Sequence, residues 1–457
     1  MSALPAAGSA TGVNQSYPLF EPKQKYPQAF CTPEDIAIAE SVRKFVDQEV
    51  MPRRDDLEGG FHRDEERALG ALHRLYRACG QLGITKMSVP EAMGGMAASA
   101  AARMIVLDEL SRGDIGLANM VAKMAWVSSI TLACRRDDLM REFAPRILAD
   151  PPWAACVAIS EPGGGANIED PAFSFRTLRT IARAEGDSYV INGHKLWPGP
   201  AGPADRFKTK DLAGHMGYWT VATLDPNAGE QGVGIFWVPP DAPGLSFSKP
   251  IEKMGMSWTD ENAEIWYDNV RIDKRYRIDT QPGQAAQVLK GYVIGYGRLS
   301  GGPCLTGLAE GALETALNWT ANRYIAGLPV REHSAFAMAF GDLWRLIDIS
   351  RQYYLSVTWQ ATSRNHGRPW SPEMMAKFSA ARSFAADVAD KVTRTAMEFM
   401  GAYGYAFGNQ IEKYARDFPI VKLWLGGAQR DRLEIAHGLY GTLAWPPRGE
   451  PSDSGTR

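Results

Sequence analysis

The sequence predicts an α+β protein that runs helices first, strands next, and helices again. Three observations carry that reading. Apolar residues recur at helical spacing on both sides of a central stretch. The stretch itself, 153–275, is rich in Gly and Pro and holds short β-prone runs separated by turn residues. The character changes near Pro151 and again near Gln281, which divides the chain into three segments. At roughly 150 residues per domain, 457 residues fit about three domains.

Residues 1–30 are rich in Ala, Gly, Ser and Pro without periodicity and read as a flexible arm. A helical domain is expected over 31–152. Its first helix starts at Thr32, an N-cap followed by Pro33 and the acidic pair Glu34-Asp35, and continues through Ile38, Val42, Phe45, Val46 and Val50. Similar signals run near Asp64–Gly83, Ser99–Gly116 and Asp137–Ala149. Over 153–278 the runs Ala154–Ile159, Tyr189–Ile191, Trp219–Ala222 and Gly234–Val238, with turns at Asn192-Gly193 and Pro226-Asn227, predict a small β-barrel or sandwich. Helices Leu305–Arg323, Ser334–Arg364 and Pro372–Gly401 fill a C-terminal domain, 279–446. Residues 447–457 read as a flexible tail.

Composition narrows the function classes. Lys+Arg 50 against Asp+Glu 52 gives a formal charge of -2, without the basic excess of a nucleic-acid binder. A hydrophobic content of 45% excludes wholesale disorder. Cys31, Cys79, Cys134, Cys156 and Cys304 are scattered, with no CxxC and no Cys/His cluster, so neither a disulfide framework nor a metal site is expected. The start lacks a basic-then-apolar pattern, and no apolar stretch of about 18 residues stands out, so a cytoplasmic protein without a membrane span is expected.

No GxxxxGK[ST] loop is present. The run Gly295-Tyr296-Gly297-Arg298-Leu299-Ser300-Gly301 lacks a dinucleotide spacing and follows a helical pattern rather than a strand. His62, His194 and His437 read as surface or packing residues. Two motifs stand out. Ser160-Glu161-Pro162-Gly163-Gly164-Gly165 follows an apolar strand, where glycines either let backbone approach a bound group or simply form a tight turn. Ile191-Asn192-Gly193-His194-Lys195-Leu196-Trp197 presents a tryptophan that could stack on a heterocycle or fill a core.

Taken in order with Lys253–Trp258, Trp266–Val270, Arg323, Met400–Tyr405 and Arg416-Asp417, these motifs resemble the acyl-CoA dehydrogenase family over roughly residues 32–445. The resemblance implies an N-terminal helical domain, a middle β-domain and a C-terminal four-helix domain, assembled as a homodimer or homotetramer, or as a heteromer. It also implies FAD, an acyl-CoA substrate, and an electron acceptor such as an electron-transfer flavoprotein. By position, Val157, Ile159 and Ser160 would line the flavin edge, and Trp197 would lie along the isoalloxazine ring. Arg323 would reach the FAD pyrophosphate of a neighbouring subunit, a task suited to a guanidinium fork. Gly401, Ala402 and Gln429 would meet the adenosine half of FAD, also across a subunit boundary.

The chain departs from this pattern around one site. The family's usual glutamate base falls at Leu425, and the alternative position, before a helix arginine, is Gly297. Neither can accept a proton, which leaves the catalytic residue unknown. A positioned base is worth about 10²–10⁴ in rate. The threonine at flavin N5 becomes Gly199, an aromatic that packs on FAD becomes Ala326, and a Ser-Asp pair becomes Ala166-Asn167. The polar segment Arg206–Tyr218 is longer than the family norm by about ten residues and is expected to be a mobile loop near the site. Asp431, Glu434, His215 and Asp211 are the candidates for a relocated base, each of them weighed against a solvated helix charge or loop tip. Three functions compete: an acyl-CoA flavoenzyme with a moved base or altered chemistry such as β-elimination, a non-catalytic partner subunit, and a flavin monooxygenase of the same fold. A nitroalkane-type oxidase would need an acid at Leu425.

Overall fold

The computed structural model describes residues 17–60, 62–163, 177–363 and 371–442. Gly164, Gly165, Ala166, Asn167, most of the expected arm and the expected tail lie outside them. The N-terminal region contains α1 (Pro22–Lys25), α2 (Pro33–Phe45), α3 (Arg54–Leu57), α4 (Glu65–Gln81), α5 (Ala100–Gly113), α6 (Ile115–Ala133) and α7 (Asp137–Ile147). Local chemistry sets the starts. The Thr32 hydroxyl accepts the Asp35 N–H while the Asp35 carboxylate accepts the Thr32 N–H, a complete capping box. Asp64 and Ser99 cap α4 and α5 with their side chains alone, accepting the Arg67 and Ala102 N–H groups. The stretch expected as one helix, Ser99–Gly116, is broken at Asp114, which is extended (φ -153) and caps α6 with its side chain.

Two expectations fail here. Residues 17–30 are not a loose arm: Phe20 and Tyr26 are buried, and Lys25 is sealed in an ionic cluster. Helix α6, 19 residues long, is also apolar enough, at mean hydropathy 1.3 over an 18-residue window, to meet the length and composition of a membrane span. It is a core helix instead. Leu117, Met120, Met124, Val127 and Ile130 are buried, as befits a helix apolar on nearly every face.

The middle region forms one seven-stranded mixed sheet from β1 (Trp153–Ala158), β2 (Ile181–Glu185), β3 (Ser188–Lys195), β4 (Gly214–Thr223), β5 (Val233–Val238), β6 (Leu245–Phe247) and β7 (Ile265–Asp273). The order is β1-β4-β2-β3-β7-β6, with β5 also paired to β4. Strand β4 is buried at every position, and its Trp219 indole donates to Thr131 of α6 at 3.0 Å. The segment expected as a mobile loop, Arg206–Tyr218, is therefore partly this strand. Arg206 pairs with both Glu65 and Glu261, Arg77 with Asp211 at 3.2 Å, and Phe207 and Leu212 are buried. Its polar residues are matched by carboxylates and an arginine distant in sequence, which is why a local reading took them for solvent-facing.

The C-terminal region holds α8 (Gln284–Val288), α9 (Tyr296–Ala321), a hairpin of β8 (Tyr324–Ile325) and β9 (Leu328–Pro329), α10 (Ser334–Ser363), α11 (Pro372–Met400), α12 (Ile411–Leu423) and α13 (Gly427–Leu439). Helix α9 is its axis. A Cβ on Gly307 or Gly311 would strike the Asp108 or Arg112 carbonyl of α5, so these glycines allow a crossing with backbone in contact. Beside that crossing, four cations (Lys25, Arg43, Arg112, Arg351) meet four carboxylates (Asp108, Glu109, Glu310, Glu314). Burial alone would raise the Glu310 carboxyl, but Lys25, Arg351 and Arg43 outweigh it and hold it far below its ordinary 4.5. A depressed carboxylate contributes stability that is present above pH 4.5 and lost as pH falls further. Glu310→Gln removes one partner and strands the arginines, so it is expected to lower unfolding free energy by about 3–5 kcal/mol at neutral pH. Urea denaturation monitored by circular dichroism measures this; a shift below about 1 kcal/mol would show the cluster to be dispensable.

Candidate functional site

The site begins where β1 ends. Val157, Ile159 and Ser160 are half-buried there, alongside the end of β3. The Leu196 N–H donates to the Ser160 carbonyl at 2.8 Å, and the buried Lys195 ammonium donates to the Ile159 carbonyl at 3.0 Å and to Glu161 at 2.7 Å. Glu161 also accepts the Arg179 and Thr180 N–H groups, at 2.6 and 3.1 Å. Burial would raise its carboxyl, yet Lys195 and these donors hold it below the usual range. Glu161 thus fastens the described ends of the glycine-rich turn, and a Cβ on Gly163 would face open space.

Trp197 follows with φ +69 and an indole 45% exposed, so it is no core tryptophan. The next positions turn inward. Gly199 is buried, with its carbonyl accepting from Lys123 at 2.8 Å. A Cβ there would lie 2.6 Å from Asn262 Nδ2, whose amide donates to the Trp197 carbonyl at 2.9 Å. Asn262 has taken the room that a side chain at 199 would need.

Leu425 and Gly297 face one another. A Cβ on Gly297 would be 2.7 Å from Leu425 Cδ1 and 3.3 Å from Trp126. Leu425 has φ +50, and Gly426 and Gly427 follow at +90 and +74. For leucine that left-handed conformation costs roughly 1 kcal/mol, so something must hold it. Two buried arginines do. Arg298 donates to the Leu425 carbonyl at 3.0 Å and Arg382 to the Trp424 carbonyl at 2.5 Å. Asp431 fixes both guanidinium groups, with Arg382 at 2.6 Å and Arg298 at 3.2 Å, and Glu434 backs Arg298 at 3.9 Å.

The remaining expected residues lie elsewhere. Arg323 is exposed between α9 and the β8–β9 hairpin and makes no ion pair among the described residues. Gly401 ends α11 at φ +61 with open space about its Cα, and Ala402 follows, exposed. Trp319 and Tyr403, with ring centroids 6.1 Å apart, bring these two stretches together. Gln429 is exposed on α13, and Ala326 sits at the tip of a two-residue hairpin turn with φ +49, before Gly327 at +82. The structure therefore forms two groups, one at the β1–β3 edge and one at the α9–α11 end.

Comparison with known proteins agrees with this layout. Residues 32–149, 156–270 and 288–440 match, in turn, the N-terminal, middle and C-terminal domains of acyl-CoA dehydrogenases. The chain belongs to the acyl-CoA dehydrogenase family. Benzylmalonyl-CoA dehydrogenase of Aromatoleum aromaticum is 26% identical over 407 residues, 89% of this chain and 97% of that protein. Human mitochondrial short-chain specific acyl-CoA dehydrogenase is also 26% identical, over 88% of this chain and 89% of its own length. Among solved structures, a glutaryl-coenzyme A dehydrogenase–glutaryl-CoA complex superposes with TM-score 0.76 at 22% identity, covering 92% of this chain and 98% of that one. Butyryl-CoA dehydrogenase from Megasphaera elsdenii gives 0.74 at 20% identity, covering 90% and 99%.

Acyl-CoA dehydrogenases are FAD-binding flavoenzymes, and a glutaryl-CoA dehydrogenase with the same fold was solved with FADH2. Several features of this family member fit such a group: an uncovered indole at Trp197, open glycines at 163 and 401, and an uncommitted guanidinium at Arg323. Gly199 is the exception, because its surroundings are filled.

None of the four candidate bases is free. Asp431 and Glu434 are buried and engaged with arginine, and Asp211 pairs with Arg77. His215 is packed against Phe207 and Tyr218; its Nδ1 accepts the Gly217 N–H and its Nε2 donates to the Pro200 carbonyl. Burial pushes the thiols of Cys31, Cys134, Cys156 and Cys304 up to about 12, so no thiolate substitutes. Sequence reasoning missed Arg382, Trp126 and Asn262. Only the adjacency of Arg298 to Gly297 offered a signal; the others act through tertiary contact.

Burial pushes the His215 imidazole down to about 4. The unfolded chain takes up that proton first, so the neutral ring's contribution is complete above the ordinary 6.5 and is lost as pH falls from there to 4. That loss is on the order of 3 kcal/mol. NMR of the ring protons is expected to show His215 unprotonated at pH 5.5; titration there near 6.5 would contradict this packing.

Proposed function

We propose that this protein binds FAD and an acyl-CoA thioester, with the acyl Cα beside Leu425 and Gly297, and that its reaction uses no carboxylate at either position. The contact between Leu425 and Gly297 carries the reading. Two apolar positions press together where one carboxylate would stand, and each nearby acid already has a cation. When bound, FAD supplies the acceptor for a hydride equivalent. The chain's own residues orient and enclose: Trp197 offers a flat face, and Val157 and Ile159 an apolar wall. Removal of an α-proton then needs a group other than those at 425 and 297, or a substrate that reacts without it, such as one losing a β-substituent.

A second reading is a subunit that completes the flavin site of a partner without turning over. The filled space at Gly199, beside two vacant base positions, favours it. Under either reading Arg323, Gly401, Ala402 and Gln429 serve a neighbouring subunit's cofactor. Exposed Tyr324, Ile325, Leu328, Tyr405 and Phe407 suit a covered oligomer face, and electrons pass to an acceptor such as an electron-transfer flavoprotein. Five buried, unpaired cysteines accord with a reducing compartment such as the cytoplasm.

Leu425→Glu tests the reading directly. It sets an acid in a largely apolar pocket, where desolvation raises its pKa toward that of a useful base. Anaerobic flavin bleaching with saturated acyl-CoAs is expected to accelerate by about 10²–10⁴. Rapid bleaching by the natural protein, unchanged by the glutamate, would mean that another base acts; absence of flavin from both forms would favour the partner-subunit reading. Arg323→Ala removes a charge-assisted contact worth about 1.5–3 kcal/mol and is expected to yield folded, largely flavin-free protein. Full flavin occupancy in that variant would refute the role assigned to Arg323.

A further inference from the structure

We infer that His333 is a positioning residue for the cofactor: its ring braces the β8–β9 hairpin in the arrangement that presents Arg323. The inference rests on the reading that Arg323 reaches a neighbouring subunit's FAD. Helix α9 ends at Ala321 and is capped by Asn322, so Arg323 lies beyond the regular helical turns and the helix does not direct it. Its backbone is fixed instead from the far side of the hairpin, where the Val330 N–H donates to the Arg323 carbonyl at 2.7 Å. Where the hairpin goes, Arg323 follows.

The hairpin has little with which to hold itself. It consists of two residue pairs, Tyr324 with Pro329 and Ile325 with Leu328, and the proline brings no N–H to the ladder. Tyr324, Ile325 and Leu328 are exposed, so burial contributes little within one chain. The turn also puts Ala326 at φ +49, a left-handed angle that disfavours a residue with a Cβ. An isolated hairpin of this size is marginal in water. His333 supplies the brace. Its Nε2 donates to the Ile325 carbonyl at 2.8 Å, the one side-chain hydrogen bond on residues 324–329 among the described residues. A carbonyl only accepts, so the bond requires the proton on Nε2. The other end of the brace is firm. The His333 carbonyl accepts the Ala337 N–H at 2.9 Å, which anchors it to the 30-residue α10, and Val330 is buried. The ring therefore ties β8 to α10 at the same junction that fixes the Arg323 carbonyl.

The test is the FAD affinity of the full chain after flavin removal, read by fluorescence titration. His333→Met keeps comparable bulk without a donor and is expected to weaken FAD binding by about 3- to 10-fold, the scale of one hydrogen bond. His333→Gln, whose amide nitrogen can stand where Nε2 does, is expected to restore most of the affinity. A brace that acts through Arg323 has nothing left to position once that guanidinium is gone. His333→Met is therefore expected to add no further loss in an Arg323→Ala background, whereas a merely structural role would add its full effect there. Undiminished affinity in His333→Met, no recovery in His333→Gln, or a full further loss beside Arg323→Ala overturns this inference alone. If His333→Met does not fold, nitrogen NMR of the natural protein's ring at pH 8 decides. Nε2 is expected to carry the proton, and the opposite tautomer overturns the inference. An Arg323→Ala variant that binds FAD as tightly as the natural protein overturns the Arg323 reading and this inference with it, as does a natural protein that binds no FAD.

Discussion

The contact between α5 and α9 is the constraint on which the remaining geometry depends. Gly307 and Gly311 bring the two backbones together, and a buried cluster of alternating charge locks them there. Apolar packing tolerates small rotations, whereas a desolvated guanidinium opposite a carboxylate does not, because any misalignment leaves charge unsolvated. Lys25 ties the N-terminal segment to the same cluster, and Arg43 ties α2. Three parts of the chain that are far apart in sequence thus share one fixed origin. From it, α9 carries Tyr296, Gly297 and Arg298 toward the last turn before α13.

That turn is held by residues far from it in sequence. Leu425 holds an unfavourable backbone angle because Arg298 and Arg382 grip the carbonyls on either side, and Asp431 and Glu434 keep the arginines in place. The acids that sequence position offered as substitute bases are therefore the foundations of the turn. Their carboxylates are committed to Arg298 and Arg382, and taking up a substrate proton would weaken the ion pairs that hold the turn.

Legibility followed the range of the interaction. The capping box of Thr32 and Asp35 lies within four residues and could be read directly, as could the lengths of α10 and α11 and the strand β5. The family motifs were legible because their order survives. What stayed hidden depends on partners brought close only by folding. Lys25 in a Pro- and Gly-bearing segment looked solvated until Glu109 and Glu310 closed over it, and Arg206 looked like a loop tip without Glu261 in view.

The meeting of Leu425 with Gly297 also constrains history. A glutamate introduced at 297 would collide with the leucine, and one restored at 425 would crowd any side chain at 297. Relocating the acid between α9 and the final turn consequently has an order: bulk must leave the first position before it can enter the second. Each such path runs through a state with no acid at all, in which the scaffold must be retained for something other than proton abstraction.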